Sequence, residues 1–115
     1  MLFKQEHPFE DRKLESNRIM SKYPDRIPII CEKQENCKNI KSISKKKYLV
    51  PNEYTCGQFI YIIRNQLHLS AESAIFLFID GNIPSTVQTI GQLYDNHKDY
   101  DGFLYINYAS ENTFG

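Results

Sequence analysis

One four-residue signal occurs twice in this chain, as Thr55-Cys56-Gly57-Gln58 and as Thr89-Ile90-Gly91-Gln92. In each, the threonine hydroxyl can accept from the backbone N–H three residues on, while the glutamine side chain reaches back to the threonine N–H. This is a capping box, and it starts a helix. The first box predicts a helix carrying Phe59, Ile60, Ile62, Ile63 and Leu67, whose cap and length outweigh the strand preference of its β-branched residues. The second predicts a short helix ending near His97. Between them, residues 74–79 are an unbroken apolar run, read as a strand buried on both faces and closed by the turn Asp80-Gly81-Asn82. Residues 103–108 supply a last strand, and residues 109–115 read as a polar tail without periodicity.

The first half begins with two helical pieces over residues 3–22, broken at His7-Pro8, since proline is suited to a helix start where its missing N–H does no harm. Leu14, Ile19 and Met20 are the sparse apolar side of the second piece, with Arg12, Lys13, Arg18 and Lys22 outward. Residues 27–32 read as a strand, 34–44 as polar and turn-like, and 47–51 as a second strand. That second strand is preceded by the cationic run Lys45-Lys46-Lys47 and ends at Pro51. Proline has no N–H to donate to a ladder, so a strand ending this way belongs at a sheet edge, and lysines beside it guard the edge against random pairing. After residue 22 the order is strand–strand–helix–strand–helix–strand. It is the order of the ubiquitin-like β-grasp, an α+β fold with a four-stranded mixed sheet wrapped on one long helix.

At 115 residues the chain suits one domain, and 41% hydrophobic with 13% aromatic residues fits a folded protein. No run of about 18 apolar residues is present, so no helix is expected to span a membrane, and no signal segment is expected at the start. Membrane association then has to come from a partner or a covalent anchor. Net charge is zero but lopsided: residues 1–48 hold twelve Lys/Arg against seven Asp/Glu (+5), and residues 49–115 hold two against seven (−5). A basic N-terminal region suits acidic peptides, lipid headgroups, tubulin or nucleic acid, without choosing among them. Cys31, Cys37 and Cys56 form no C-x-x-C pair, and His7, His68 and His97 are scattered, so no metal site is expected. Cys31 and Cys56 read as small core hydrophobes. No cofactor or catalytic residue is expected.

The chain resembles the autophagy-related protein 8 family, whose animal members are the GABA-receptor-associated protein and the microtubule-associated light chain proteins. The residues that carry the resemblance are His7-Pro8-Phe9-Glu10, Tyr23-Pro24-Asp25-Arg26-Ile27-Pro28-Ile29-Ile30, Lys45-Lys46-Lys47-Tyr48-Leu49-Val50-Pro51, Gly57-Gln58-Phe59, Phe103-Leu104-Tyr105-Ile106 and Phe114-Gly115, in order over nearly the whole chain. The resemblance implies a single ubiquitin-like domain over residues 1–115: an N-terminal helical extension (1–22), the β-grasp core (23–108) and a flexible conjugation tail (109–115). It implies a non-enzymatic modifier in autophagy or related membrane biogenesis, joined through Gly115 to phosphatidylethanolamine by activating and conjugating enzymes of the autophagy-related protein 7 and 3 types. Such a protein is cytoplasmic until lipidated and then sits on the autophagosome membrane, or on a plastid membrane (the apicoplast) in apicomplexan parasite members. Abundant Ile, Lys, Asn, Phe and Tyr hint at such an AT-rich genome. Since nothing comes after Gly115 in this sequence, the chain is expected to be either trimmed or naturally mature, and competent for activation without proteolysis.

The family binds W/F/Y-x-x-L/I/V segments by β-augmentation, with an aromatic and an aliphatic anchor in two pockets. Carried over, the first pocket falls on Glu15, Ile19, Pro28, Ile30, Lys47, Leu49 and Phe103. The second falls on Tyr48, Val50, Pro51, Tyr54, Phe59 and Ile62, while Arg26, Lys45 and Arg64 would meet acidic neighbours of the motif. Several of these apolar residues are expected to serve the core as well. Tyr54 stands where the family usually has an aliphatic residue, Asn65 and Gln66 replace basic residues of the GABA-receptor-associated type, and the loop at 34–44 is one residue longer. Two rivals share some features. A modifier conjugated to protein, of the autophagy-related protein 12 type, lacks the N-terminal helices and the Tyr23–Pro28 motif. An unconjugated tubulin- or RNA-binding module finds support in the basic N-terminal region but not in any RNA-binding motif, so no nucleic acid partner is expected.

Overall fold

The computed structural model describes residues 2–38 and 40–110. Its elements run α1 (Phe3–Glu6), α2 (Phe9–Lys22), β1 (Arg26–Lys33), β2 (Lys47–Pro51), α3 (Cys56–Leu67), β3 (Ile75–Phe78), α4 (Ile90–His97) and β4 (Leu104–Ser110). The four strands make one mixed sheet in the order β2-β1-β4-β3, with β1 antiparallel to β2 and parallel to β4, and β3 antiparallel to β4. The α+β ubiquitin-like β-grasp with two N-terminal helices is therefore what the chain adopts.

Both capping boxes form. Thr55 Oγ1 accepts from the Gln58 N–H at 3.1 Å and Gln58 Oε1 accepts from the Thr55 N–H at 2.8 Å. Thr89 and Gln92 repeat the exchange at 3.1 and 3.0 Å. The two boxes also lie against each other. Thr55 and Thr89 form an antiparallel bridge, the Ile90 N–H donates to the Tyr54 carbonyl at 2.7 Å, and the Cys56 N–H to the Gln88 carbonyl at 2.8 Å. Each box has glycine in its third position because another backbone passes there. The Gly57 N–H reaches the Thr86 carbonyl, the Gly91 N–H reaches the Asn52 carbonyl, and an added Cβ would lie 3.3 and 3.1 Å from those oxygens. The repeat thus fixes two helix starts and clamps them together.

Strand side chains alternate between faces, and β1 is buried on both. Ile27, Ile29 and Cys31 join Phe59, Ile63 and Leu67 of α3 and Leu104, Ile106 and Tyr108 of β4 in the main core. Ile30, on the opposite face, packs with Phe3 and Phe103, flanked by Ile19 and Tyr105. The N-terminal helices therefore cover the face that α3 leaves open.

Four sequence readings change on contact with the structure. In α2, Arg12, expected outward, is buried with Ser16, and Leu14, expected inward, is 57% exposed, while Ile19 and Met20 pack against the core as expected. The cause is buried Asp101, which accepts from Arg12 Nη1 at 3.3 Å, while the Ser16 hydroxyl donates to the Asp101 carbonyl. The polar segment 34–44 contributes Cys37, Ile40 and Ile43 to the main core. It is pinned there by the Tyr108 hydroxyl, which donates to the Lys41 carbonyl at 2.9 Å and accepts from the Ile43 N–H at 2.7 Å. Ala109 and Ser110, expected in the tail, continue β4 opposite Phe76 and Ile75. In the run at 74–79, Phe76 is only partly buried, because β3 is an edge strand.

Candidate functional site

The register of β2 decides what its outer edge offers. Hydrogen-bonded pairs alternate with non-bonded pairs along an antiparallel ladder. The Cys31 N–H donates to the Lys46 carbonyl at 2.8 Å and, at the other end, the Asn52 N–H donates to the Asp25 carbonyl at 3.0 Å. With Ile29 opposite Tyr48 and Ile27 opposite Val50, those two are the bonded pairs. Lys47 and Leu49, opposite Ile30 and Pro28, therefore turn their N–H and C=O groups away from β1. Pro51 has the same parity, so its missing N–H falls on the outer side, where no bond within the sheet is lost. Among the described residues, no strand pairs with that side.

Side chains of the first candidate pocket meet on the α2 face. Ile30 and Phe103 are buried and Ile19 half-buried in one cluster. Pro28 is buried opposite half-buried Leu49. Lys47 Nζ sits 2.7 Å from Glu15 Oε2, joining β2 to α2 across this face, and 5.4 Å from the centre of the Phe3 ring. Sequence reasoning leaves Phe3 out of this site, yet it is buried and packs edge-on against Phe103 with ring centres 5.5 Å apart. A signal was available: a helix of only one turn is unstable alone, so its one aromatic residue must dock.

The second candidate pocket lies on the α3 face. Tyr48, Val50 and Phe59 are buried, Tyr54 and Ile62 half-buried against them, and Pro51 half-buried where the strand ends. Tyr48 and Phe59 are perpendicular, 5.5 Å between ring centres. Burial raises the Tyr48 hydroxyl well above the ordinary tyrosine range, with Cys31 and Tyr108 adding to it. The phenol is therefore a neutral wall. Beside this pocket, Tyr54, Thr55, Gly57, Gln58, Tyr61 and Ile62 line an open hollow of about 500 Å³.

The cations divide. Lys45 is exposed, its Nζ 5.0 Å from the Tyr48 ring centre, and exposed Arg26 stacks beside Tyr23 at 5.9 Å. Lys46 faces Glu32 at 3.4 Å and Glu6 at 3.6 Å. Arg64 donates to the carbonyls of Ser70, at 2.7 Å, and Ser73, so its guanidinium is turned to the loop after α3. Gly115 lies outside the described residues.

The cysteines are all buried and unbridged. Burial pushes the Cys31 thiol far up, with the Glu32 charge adding, and burial also raises Cys56, so neither presents a thiolate. Among the described residues no group of three or more His, Cys, Asp or Glu is placed to hold a metal ion, and no helix is long and apolar enough to cross a membrane.

Comparison with known proteins gives a consistent result. A family model described as "Autophagy protein Atg8 ubiquitin like" matches residues 11–115. Proteins named autophagy-related protein 8 from Emericella nidulans, Aspergillus niger and Gibberella zeae are each 58% identical over 113 residues, covering 98% of this chain and 95% of theirs. The crystal structure of Trypanosoma brucei ATG8 superposes with a TM-score of 0.93 at 38% identity, covering all of this chain and 98% of that one.

Proposed function

This chain belongs to the Atg8 family of ubiquitin-like autophagy proteins, and from that premise we propose that it is a membrane-tethered adaptor. It is joined through Gly115 to phosphatidylethanolamine and gathers partners bearing W/F/Y-x-x-L/I/V segments along β2. It acts as a modifier and not as a catalyst. Activating and conjugating enzymes of the autophagy-related protein 7 and 3 types supply the adenylate and thioester chemistry. The protein is cytoplasmic when free and sits on the autophagosome membrane when lipidated, where two acyl chains give a stable anchor.

The observation that carries the docking half is the outward-facing main chain of Lys47 and Leu49, set between the apolar cluster of Ile19, Ile30 and Phe103 on the α2 face and the open hollow lined by Tyr54 and Ile62 on the α3 face. A strand added there gains main-chain hydrogen bonds, and its alternate side chains fall to opposite faces. One buried aromatic anchor removes ~150–250 Å² from water, a gross gain of about 4–6 kcal/mol. Ordering the peptide offsets much of it, so a short motif should bind near ~1 μM.

Titration calorimetry with a W-x-x-L peptide tests the site: Lys47→Ala combined with Leu49→Ala should weaken binding at least about tenfold. Unchanged affinity sinks the assignment. Gly115 rests on the family alone. Deleting it should abolish the lipid adduct, read by intact mass after incubation with the enzymes, ATP and phosphatidylethanolamine liposomes. Peptide binding should survive that deletion.

A further inference from the structure

The basic excess of this chain is narrower than its first half suggests. Residues 1–32 hold six Lys/Arg and six Asp/Glu, so the N-terminal helices and most of β1 carry no net charge. Residues 33–48 hold Lys33, Lys38, Lys41, Lys45, Lys46 and Lys47 against Glu35 alone, a net +5. The whole excess therefore lies in the connection between β1 and β2 and the strand ends that flank it. Several of these lysines are engaged within the fold. Lys46 faces Glu32 and Glu6, Lys47 faces Glu15, and Lys33 Nζ donates to the Ile40 carbonyl at 3.4 Å. Lys38 and Lys41 are exposed, and neither pairs with a carboxylate among the described residues.

This connection stands beside the exit of the chain. β4 runs parallel to β1, with Tyr108 opposite Lys33, so both strands end at the same edge of the domain. The Gln34 N–H donates to the Tyr108 carbonyl at 2.8 Å, the Tyr108 hydroxyl holds the Lys41 carbonyl, and Cys37 Sγ is 3.8 Å from Ser110 Oγ. Gly115 comes five residues after Ser110, a stretch that spans at most about 18 Å. A bilayer joined to Gly115 is thus tethered next to the basic connection, and the tether converts a weak surface attraction into an intramolecular one. The carboxylates at this end are few: Glu35, Glu72 in the turn before β3, and Glu111 beside Ser110 in sequence.

We propose that the connection between β1 and β2 is a lipid-facing surface. Once Gly115 is conjugated, Lys38 and Lys41 lie against anionic headgroups, and the domain settles with this end down on membranes rich in anionic phospholipid. The inference rests on the Gly115 conjugation proposed above. Each lysine close to an anionic leaflet adds a roughly fivefold preference, felt within a Debye length of about 8–10 Å. The tether favours the bilayer over an acidic protein segment, which these two lysines would have to hold unaided. β2 starts at this end and runs away from it to Pro51, opposite Arg26. Seating the connection on the membrane therefore leaves the outer edge of β2 along the flank of the domain, open to partners.

The test conjugates wild type to vesicles of phosphatidylethanolamine with phosphatidylcholine, and to vesicles in which phosphatidylserine replaces much of the phosphatidylcholine. Intact mass reads the adduct, and a water-soluble acylating reagent then labels exposed lysines, read by peptide mass. Lys38 and Lys41 should label about fivefold more slowly on the anionic vesicles, and high salt should erase the difference. Lys13 and Lys22 on α2 should label equally on both. The Lys38→Glu, Lys41→Glu variant should keep its melting midpoint and its affinity for a W-x-x-L peptide with acidic residues ahead of the motif. Equal labelling of Lys38 and Lys41 on the two vesicles, with the adduct present on both, overturns the lipid-facing surface and leaves conjugation standing. Slower labelling of Lys13 and Lys22 instead seats the α2 face on the bilayer and also overturns it. A loss of about tenfold in peptide affinity in the variant assigns the two lysines to protein partners, with the same consequence. Absence of an adduct at Gly115 overturns the conjugation, and this inference with it.

Discussion

Where α3 covers the sheet, the contact is apolar nearly throughout: Phe59, Ile63 and Leu67 close on Ile27, Ile29, Leu104 and Ile106. Where α1 and α2 cover the opposite face, the apolar contact shrinks to Phe3, Ile30 and Phe103 with their half-buried neighbours. Polar links make up the difference: Lys4 to Asp99 at 2.6 Å, Arg12 to Asp101 at 3.3 Å, Lys46 to Glu6 and Glu32, Lys47 to Glu15, and the Phe3 N–H to Glu32 Oε2 at 2.7 Å. Burial of apolar area is strongly stabilising per residue, whereas exposed ion pairs contribute little. The α3 face should therefore carry the stability of the domain and the α1–α2 face its adjustability. The candidate groove opens along the outer edge of β2, where the two faces meet. One wall of that groove is hard and the other is held by charge.

The largest expected effect lies on the α3 face. Ile63 is fully buried, and Ile63→Ala should lower stability by about 3 kcal/mol, with the melting midpoint down by roughly 10 °C or more. Thermal denaturation at low and high salt should give the same loss, since no charge is involved. Second comes Asp101→Asn, which leaves the Arg12 guanidinium buried without its counter-charge. Arg12 Nε already lacks a hydrogen-bond partner, so the loss should approach about 3 kcal/mol without exceeding that of Ile63→Ala. Adding Arg12→Met should recover most of it, because an uncompensated charge is what the single variant leaves behind. If Asp101→Asn proves the worse lesion and Arg12→Met does not rescue it, the polar face is the stronger of the two and the comparison fails. A third change, Lys4→Ala, removes a pair whose side chains are 48% and 25% exposed. It should cost no more than about 0.5 kcal/mol globally, read by denaturant midpoint.

Legibility in the sequence tracks the range of the forces involved. The capping boxes and Pro51 act within a few residues, so their consequences could be read locally, and the element order with the family resemblance then settled the fold. Arg12 could not be read so, because its partner lies 89 residues away in sequence. Helical periodicity pointed Leu14 inward; a buried carboxylate overrode it. Cys37, Ile40 and Ile43 are isolated apolar residues in a polar segment, and only the Tyr108 hydroxyl, bonded at Lys41 and Ile43, reveals why that segment folds inward. In the candidate site, the residue types came from the resemblance. The outward orientation of Lys47 and Leu49 came from a register that exists only once Cys31 meets Lys46.

The smallest effect is also the sharpest probe of the charge-held face. Burial pushes the Asp99 carboxyl up, but the Lys4 hydrogen bond, the Asp101 N–H and the charges of Lys4 and Arg12 outweigh it, leaving the group below its ordinary value. A carboxylate depressed in the folded state stabilises above its unfolded pKa of about 3.9, and that contribution is lost as pH falls through the lower folded value. Because Asp99 is partly exposed, a few tenths of a kcal/mol is at stake. Global melting will not resolve that, but local opening of α1 will. The Glu6 N–H donates to the Leu2 carbonyl at 3.1 Å and the His7 N–H to the Phe3 carbonyl at 3.1 Å, so both amides report on this turn. At neutral pH their hydrogen exchange should be faster in Lys4→Ala than in wild type. As pH falls through the depressed folded value of Asp99 and its carboxylate is protonated in both proteins, the two rates should converge. The amides of Ile63 and Leu67 in α3 should show no such difference at either pH. A gap in α1 that persists unchanged in acid would mean that Lys4 holds the helix through its packing over Tyr105, 4.5 Å from the ring centre, and not through its charge pair with Asp99.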